Sequence, residues 1–266
     1  MKLVALILPL GLLAGCATNP FAQFYQDGTQ RMPLSMQQRL LPPSGEPQIV
    51  AVTSATVQSE CLRLTEHGFG MVGSAGFAGP LAGQSQLLEQ ARKAGAQVVL
   101  YGSDFSHTEQ GVLPWLSYQP GQTFTTQQQG MIAGYPYWGS STTTTPGTYQ
   151  TQLIPYQRDV FIQGATFWRR LKPGIFGAMF APLTDELRAK LQRNSGVLVV
   201  AVVEGSPAFK ANVLRGDVII QIGDRPASTV QELMDALPSL AGQKVQVNIL
   251  REGQPLSLEV QLNEAR

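Results

Sequence analysis

The spacing of apolar positions along the 266-residue chain changes period several times, and each change marks an element. Leu3 to Leu13 is an apolar run interrupted only by Pro9 and Gly11. A membrane-spanning helix needs about 20 apolar residues, whereas the apolar part of a secretory signal needs about 7–15, so the run predicts a targeting segment. Residues 17–46 show no sustained period and carry Pro20, Pro33, Pro42 and Pro43 among Gln and Ser, a composition that predicts an extended tether. Gln48 to Thr53 reads as a buried strand that opens the first folded domain. His67 to Phe77 alternates apolar with small residues. Leu87, Leu88, Ala91 and Ala94 then recur at helical spacing up to a capping Gly95, and Ala96 to Tyr101 is rich in β-formers. Strand, helix and strand in this order predict a compact α/β unit.

Residues 110–157 break the pattern, since they hold no charged side chain but eight aromatics, including Trp115, Tyr118, Phe124, Trp138 and Tyr149. A Thr/Ser-rich stretch lies at Gly139 to Gly147. Two readings compete: a hairpin insertion with a mobile Thr/Ser tip and aromatics packed on the parent sheet, or an adhesive aromatic surface for another envelope component. Asp159 to Trp168 alternates Val160, Ile162, Ala165 and Phe167 and is expected to return as a strand that closes the domain. Charge reappears from Arg158 onward, which places a domain boundary near 171–173.

The overall balance, 19 basic against 18 acidic residues, gives a net charge of +1 and no electrostatic footprint for nucleic acid. Only 14% of the chain is charged, about half the usual share of roughly 25%, so the surface must be covered by Gln, Thr, Ser and Gly. No phosphate-binding loop is present, and no cofactor is expected. Cys61 has no Cys or His neighbour at metal-ligand spacing, and no metal site is expected either.

The apolar run ends in Leu13-Ala14-Gly15-Cys16, which resembles the bacterial lipobox. That resemblance implies a signal peptide over 1–15, a lipid on Cys16, a tether over 16–46 and, with Ala17 rather than Asp next, sorting to the outer membrane facing the periplasm. The protein would then touch the membrane through its N-terminal lipid, without a transmembrane helix. Cys61 alone remains, so no intrachain disulfide forms. Residues 47–171 include Gly68-Phe69, Val72-Gly73-Ser74 and Phe77, followed by Ala91 to Leu100, and resemble an α/β domain of bacterial lipoproteins with no known chemistry.

Gly174-Ile175-Phe176-Gly177-Ala178-Met179-Phe180, Gly205-Ser206-Pro207-Ala208 and Leu214 to Gly223 follow one another in the last hundred residues. Together they resemble a PDZ domain of the bacterial HtrA/Deg type, over 172–266. The resemblance implies a β-barrel-like domain that adds an extended peptide as a strand and caps its C-terminal carboxylate with backbone N–H groups. By the same resemblance Ile175, Phe176 and Gly177 form the carboxylate loop, with Phe176 lining the pocket. Ala178, Met179 and Phe180 form the pairing strand, and Val230 and Met234 line the opposite helical wall. The partner is a peptide or protein C-terminus with an apolar last residue. A side chain at Gly177 is expected to weaken binding while leaving thermal unfolding little changed. Asn212 stands where the family usually has Gly, and Pro173 removes a donor just before the loop. The fold class expected is α+β: a small α/β domain with an uncharged aromatic and Thr-rich insertion, then the PDZ barrel.

Domains of this type often follow a serine protease domain, yet the sequence has neither Gly-Asn-Ser-Gly-Gly nor Gly-x-Ser-x-Gly. His67 and His107 have no carboxylate and nucleophile in evident register. The reading is therefore a non-enzymatic scaffold or adaptor, with an accessory subunit that delivers substrates to an envelope protease, or a self-association module, as alternatives. No catalytic residue is expected.

Overall fold

The computed structural model describes residues 18–265. Cys16 and the signal segment 1–15 lie outside the described residues. The chain forms two units, one made of the residues up to Asp104 together with those from Ile162 onward, the other of Phe105–Phe161.

The N-terminal half of the first unit runs α1 (Pro20–Gln23), β1 (Tyr25–Asp27), α2 (Leu34–Gln37), β2 (Gln48–Ala51), α3 (Val57–Glu66), β3 (Phe69–Gly79), α4 (Gln84–Lys93) and β4 (Val98–Gln119). β5 (Thr123–Ile132), β6 (Tyr135–Thr144) and β7 (Thr148–Arg170) follow. Five strands form a mixed sheet in the order β1-β3-β7-β4-β2, with β2 parallel to β4. The helical spacing read in α4 puts Leu87 and Ala91 onto Val72, Val99 and Phe167 of this sheet. Buried Gln163 fastens the loop before α4: its Oε1 accepts from Ala82 N and Tyr101 OH, and its Nε2 donates to Pro80 O.

The segment expected as a tether folds onto this sheet. Asn19 caps α1 by accepting from Phe21 N at 3.0 Å, Phe21 is 1% exposed in the core, and β1 pairs with Gly73 to Ala75 of β3. Leu40 bridges to Leu171. Pro20 opens a helix instead of extending the chain, because proline suits a first helical turn. Helix α3 has no counterpart in the sequence reading; its one buried residue, Leu64, packs with Leu100 and Trp168.

In the second unit β5 and β6 pair from Thr123↔Thr144 to Ile132↔Tyr135, around a turn at Ala133-Gly134. The Thr-rich stretch is therefore in the ladder and is no tip: Thr142 and Thr144 face Thr125 and Thr123 with hydroxyls 3.3 Å apart, as β-branched residues favour. The aromatics are not packed away either, with Trp115 61% and Trp138 77% exposed.

The C-terminal half continues through β8 (Ala178–Pro182), α5 (Asp185–Leu191), β9 (Val197–Val202), α6 (Pro207–Lys210), β10 (Val218–Ile222), β11 (Arg225–Pro226), α7 (Val230–Ala236), β12 (Lys244–Arg251) and β13 (Gln254–Gln261). The expected barrel does not close. The sheet is open, in the order β13-β12-β10-β9-β8 with β11 attached to β10 alone, so β8 and β13 are edges. The architecture is thus mixed α/β with a C-terminal sheet-rich region. One apolar core, including Val199, Ile219, Val247 and Ile249, lies beneath Leu233 of α7. Asn212 has φ +59°, which accounts for glycine in the usual pattern, since Asn tolerates the left-handed region better than most residues.

Candidate functional site

Gly174 to Gly177 form a loop whose carbonyls are all used inward. Asn263 Nδ2 donates to Gly174 O at 2.9 Å. Asn263 N donates to Ile175 O, Ala208 N to Phe176 O and Val203 N to Gly177 O, at 3.0, 2.9 and 2.9 Å. Ser206, which also caps α6, adds its hydroxyl to Gly177 O at 3.0 Å. Among the described residues, the N–H groups of Ile175, Phe176 and Gly177 donate to nothing. Because the C=O and the following N–H of one trans peptide point in opposite directions, carbonyls turned into the fold leave the next amides turned out, as in an anion-binding nest.

β8 leaves the loop as an edge strand, paired with β9 from Ala178↔Val202 to Pro182↔Val197. Among the described residues its outer ladder groups have no strand partner, and such an edge can receive a further strand. Ala178 and Phe180 rest partly buried on the core. Met179 points elsewhere and is 38% exposed. Val230 packs against the same core and Met234 stands exposed on α7. The Phe176 ring differs from its expected place: it is 1% exposed in the core, 5.8 Å from Phe180, and offers the loop only its backbone.

A cavity of about 460 Å³ opens beside Gly177, Ala178 and Met179, with Phe69 and Met71 of β3 and Met36 of α2 on its other side. Arg39 also lines it and lies against Gly174. Its Nε and Nη2 donate to Lys172 O at 3.0 and 2.8 Å. No sequence signal links Arg39 to this loop, because it belongs to a segment without periodicity.

The histidines have neighbours that sequence reasoning missed. His67 Nε2 lies 3.8 Å from Glu204. His107 places Nδ1 3.1 Å from Ser106 Oγ and Nε2 3.8 Å from Glu109, although Arg158 already holds Glu109 at 2.6 Å. Ser106 and His107 are consecutive residues on an exposed strand.

Residues 174–262 match the PDZ domain family. The probable periplasmic serine endoprotease DegP-like of Rickettsia prowazekii is 32% identical over 96 residues, covering 35% of this chain and 19% of that protein. The periplasmic pH-dependent serine endoprotease DegQ of Escherichia coli is 33% identical over 98 residues, 35% of this chain and 21% of its own. The magnetosome formation protease MamE of Magnetospirillum gryphiswaldense is 33% identical over 87 residues, 31% and 11% of the two chains. Among solved structures, the HtrA-type protease AlgW with decapeptide is 24% identical, with TM-score 0.32 over 38% of this chain and 37% of that one. The chain thus spans about a fifth of the DegP-like and DegQ relatives (19% and 21%). All these relatives are named as proteases, which overturns the expected non-enzymatic scaffold or adaptor role and the accessory-subunit alternative. The C-terminal part of the chain is a PDZ domain homologous to those of HtrA/Deg-family proteases.

Proposed function

We propose that the protein serves periplasmic proteolysis of the HtrA/Deg kind, with its PDZ domain reading the C-terminal end of an extended polypeptide. The observation that carries this is the loop at Ile175 to Gly177, with every carbonyl spent inward, its amides unpaired and an edge strand leading away from it. A carboxylate accepting two or three such N–H groups makes strong charge-assisted hydrogen bonds. The strand behind it gains ladder bonds along β8. Its last side chain would rest between β8 and α7 on Ala178, Phe180, Val230 and Met234, all apolar, so an apolar terminal residue is preferred. Periplasmic location and peptide hydrolysis belong to the same proposal, supported by the names of the relatives. The segment shared with them is a PDZ region, so hydrolysis is assigned to no residue of this chain. A lipid at Cys16, supported by Leu13-Ala14-Gly15-Cys16, would hold the protein at the membrane.

The test is a titration of the full chain with a peptide ending in a free apolar residue and with its C-terminal amide. The free acid is expected to bind at least about tenfold more tightly, about 1.4 kcal/mol; equal binding, or none, overturns the carboxylate reading. Degradation of an unfolded model protein by the same preparation tests the proteolytic half separately, and no cleavage under any condition overturns that half alone.

A further inference from the structure

We propose that Arg39, in the N-terminal part of the chain, is the cation of the peptide site, so that an arriving carboxylate meets its guanidinium as well as the loop amides. The cavity beside it takes the apolar side chain next to the terminus. This rests on the peptide-reading function proposed above and makes the α/β half part of the recognition machinery.

Arg39 lines the same cavity as Gly177, Ala178 and Met179, and its guanidinium lies at about 3.0 Å from where a side chain on Gly174 would begin. Its hydrogen bonds go to one neutral carbonyl, Lys172 O, and among the described residues it has no carboxylate partner. Burial pushes its pKa below the ordinary arginine value: the charge is held with partial loss of water and no anion, a cost that a ligand carboxylate would offset. The other charged groups at the cavity are Arg31 and Asp27. Asp27 already accepts from Thr29 N and Oγ1 at 2.8 and 2.6 Å. The excess charge facing the cavity is therefore positive.

A strand added to β8 turns alternate side chains to opposite faces. With the last one against α7, the one before it faces Met179, across from Met36 and Met71. Methionine walls adapt to ligands of different shape, which suits a reader of varied apolar ends.

The experiment titrates the full chain with a labelled decapeptide ending in Phe-Val, as free acid and as amide, and with a Gly-Val acid. Arg39→Gln should weaken the free acid at least about fivefold, about 1 kcal/mol, and leave the amide unchanged, with Arg39→Lys retaining most of the affinity. Arg31→Glu, which keeps Arg39 and the apolar walls but turns the net charge facing the cavity negative, should weaken the acid in the same selective way; this arm holds if Arg39→Gln misfolds. The Gly-Val acid should bind the wild type less well than Phe-Val. If the wild type prefers acid to amide while both variants bind the acid like the wild type, the loop alone reads the carboxylate; the Arg39 inference then falls and the peptide reading stands. If the wild type binds neither form, the peptide reading itself fails, and this inference with it.

Discussion

Gly177 couples fold to recognition. Its φ is +82° and a Cβ there would collide with the Cβ of Ser206, the residue that caps α6 and holds the loop carbonyl. Gly177→Val should therefore lose at least about 2 kcal/mol of stability in urea unfolding besides losing peptide binding. That revises the expectation that unfolding would barely change, because the sequence shows the loop glycine but not the seryl group behind it. Asp217 accepts Leu214 N at 2.8 Å within its own turn. Its partner was not legible: Arg251 reaches it from β12 with two bonds of 2.8 Å. With Asp217 1% exposed and Arg251 partly open to water, Asp217→Ala should cost about 3 kcal/mol; a change near zero in denaturant titration would contradict the buried pair.

Elements with a clean apolar period were readable in advance. α4, β3 and the end of β7 fall where helical spacing or alternation put them. What escaped was short or polar. α1 and β1 hide among prolines and glutamines, and aromatics secure them: Phe21 lies 5.1 and 5.9 Å from Phe77 and Tyr101, and Tyr25 lies 5.4 Å from Phe167. Phe21→Ala should cost about 3–5 kcal/mol in thermal or urea unfolding, whereas a tether would give no change. Gln163 is the polar counterpart, a buried side chain that no periodicity reveals. Gln163→Leu leaves Ala82 N–H without its acceptor and should cost about 1–3 kcal/mol, read in the same unfolding experiment. The candidate site was legible as a loop and a strand; Arg39 was not, since folding alone brings it to Gly174.

At the scale of the whole chain, the two units differ in how they are held. The PDZ half has a continuous apolar core, whereas the β5–β6 ladder presents side chains exposed along nearly its full length. Amide hydrogens of β5 and β6 should thus exchange orders of magnitude faster than those of β10 and β12 in native-state exchange; equal protection would mean that something covers the ladder. The division at residue 172 is itself a proposal, and cooperative unfolding of isolated 172–266 would support it. Among the described residues no helix is long and apolar enough to cross a membrane. The lipid proposed at Cys16 predicts that Cys16→Ser leaves unprocessed precursor, read by mass on a gel, and normal processing of that variant would contradict it.

The central claim is that the outward amides of the loop receive a carboxylate. Its most direct measurement is a 15N-resolved titration of the protein with a peptide ending in a free apolar residue, followed at the backbone amides of Ile175, Phe176 and Gly177. The account predicts that these amides shift downfield, as donors to an anion do, with the free acid and not with the C-terminal amide. Unmoved loop amides, or the same movement with both peptides, would contradict it.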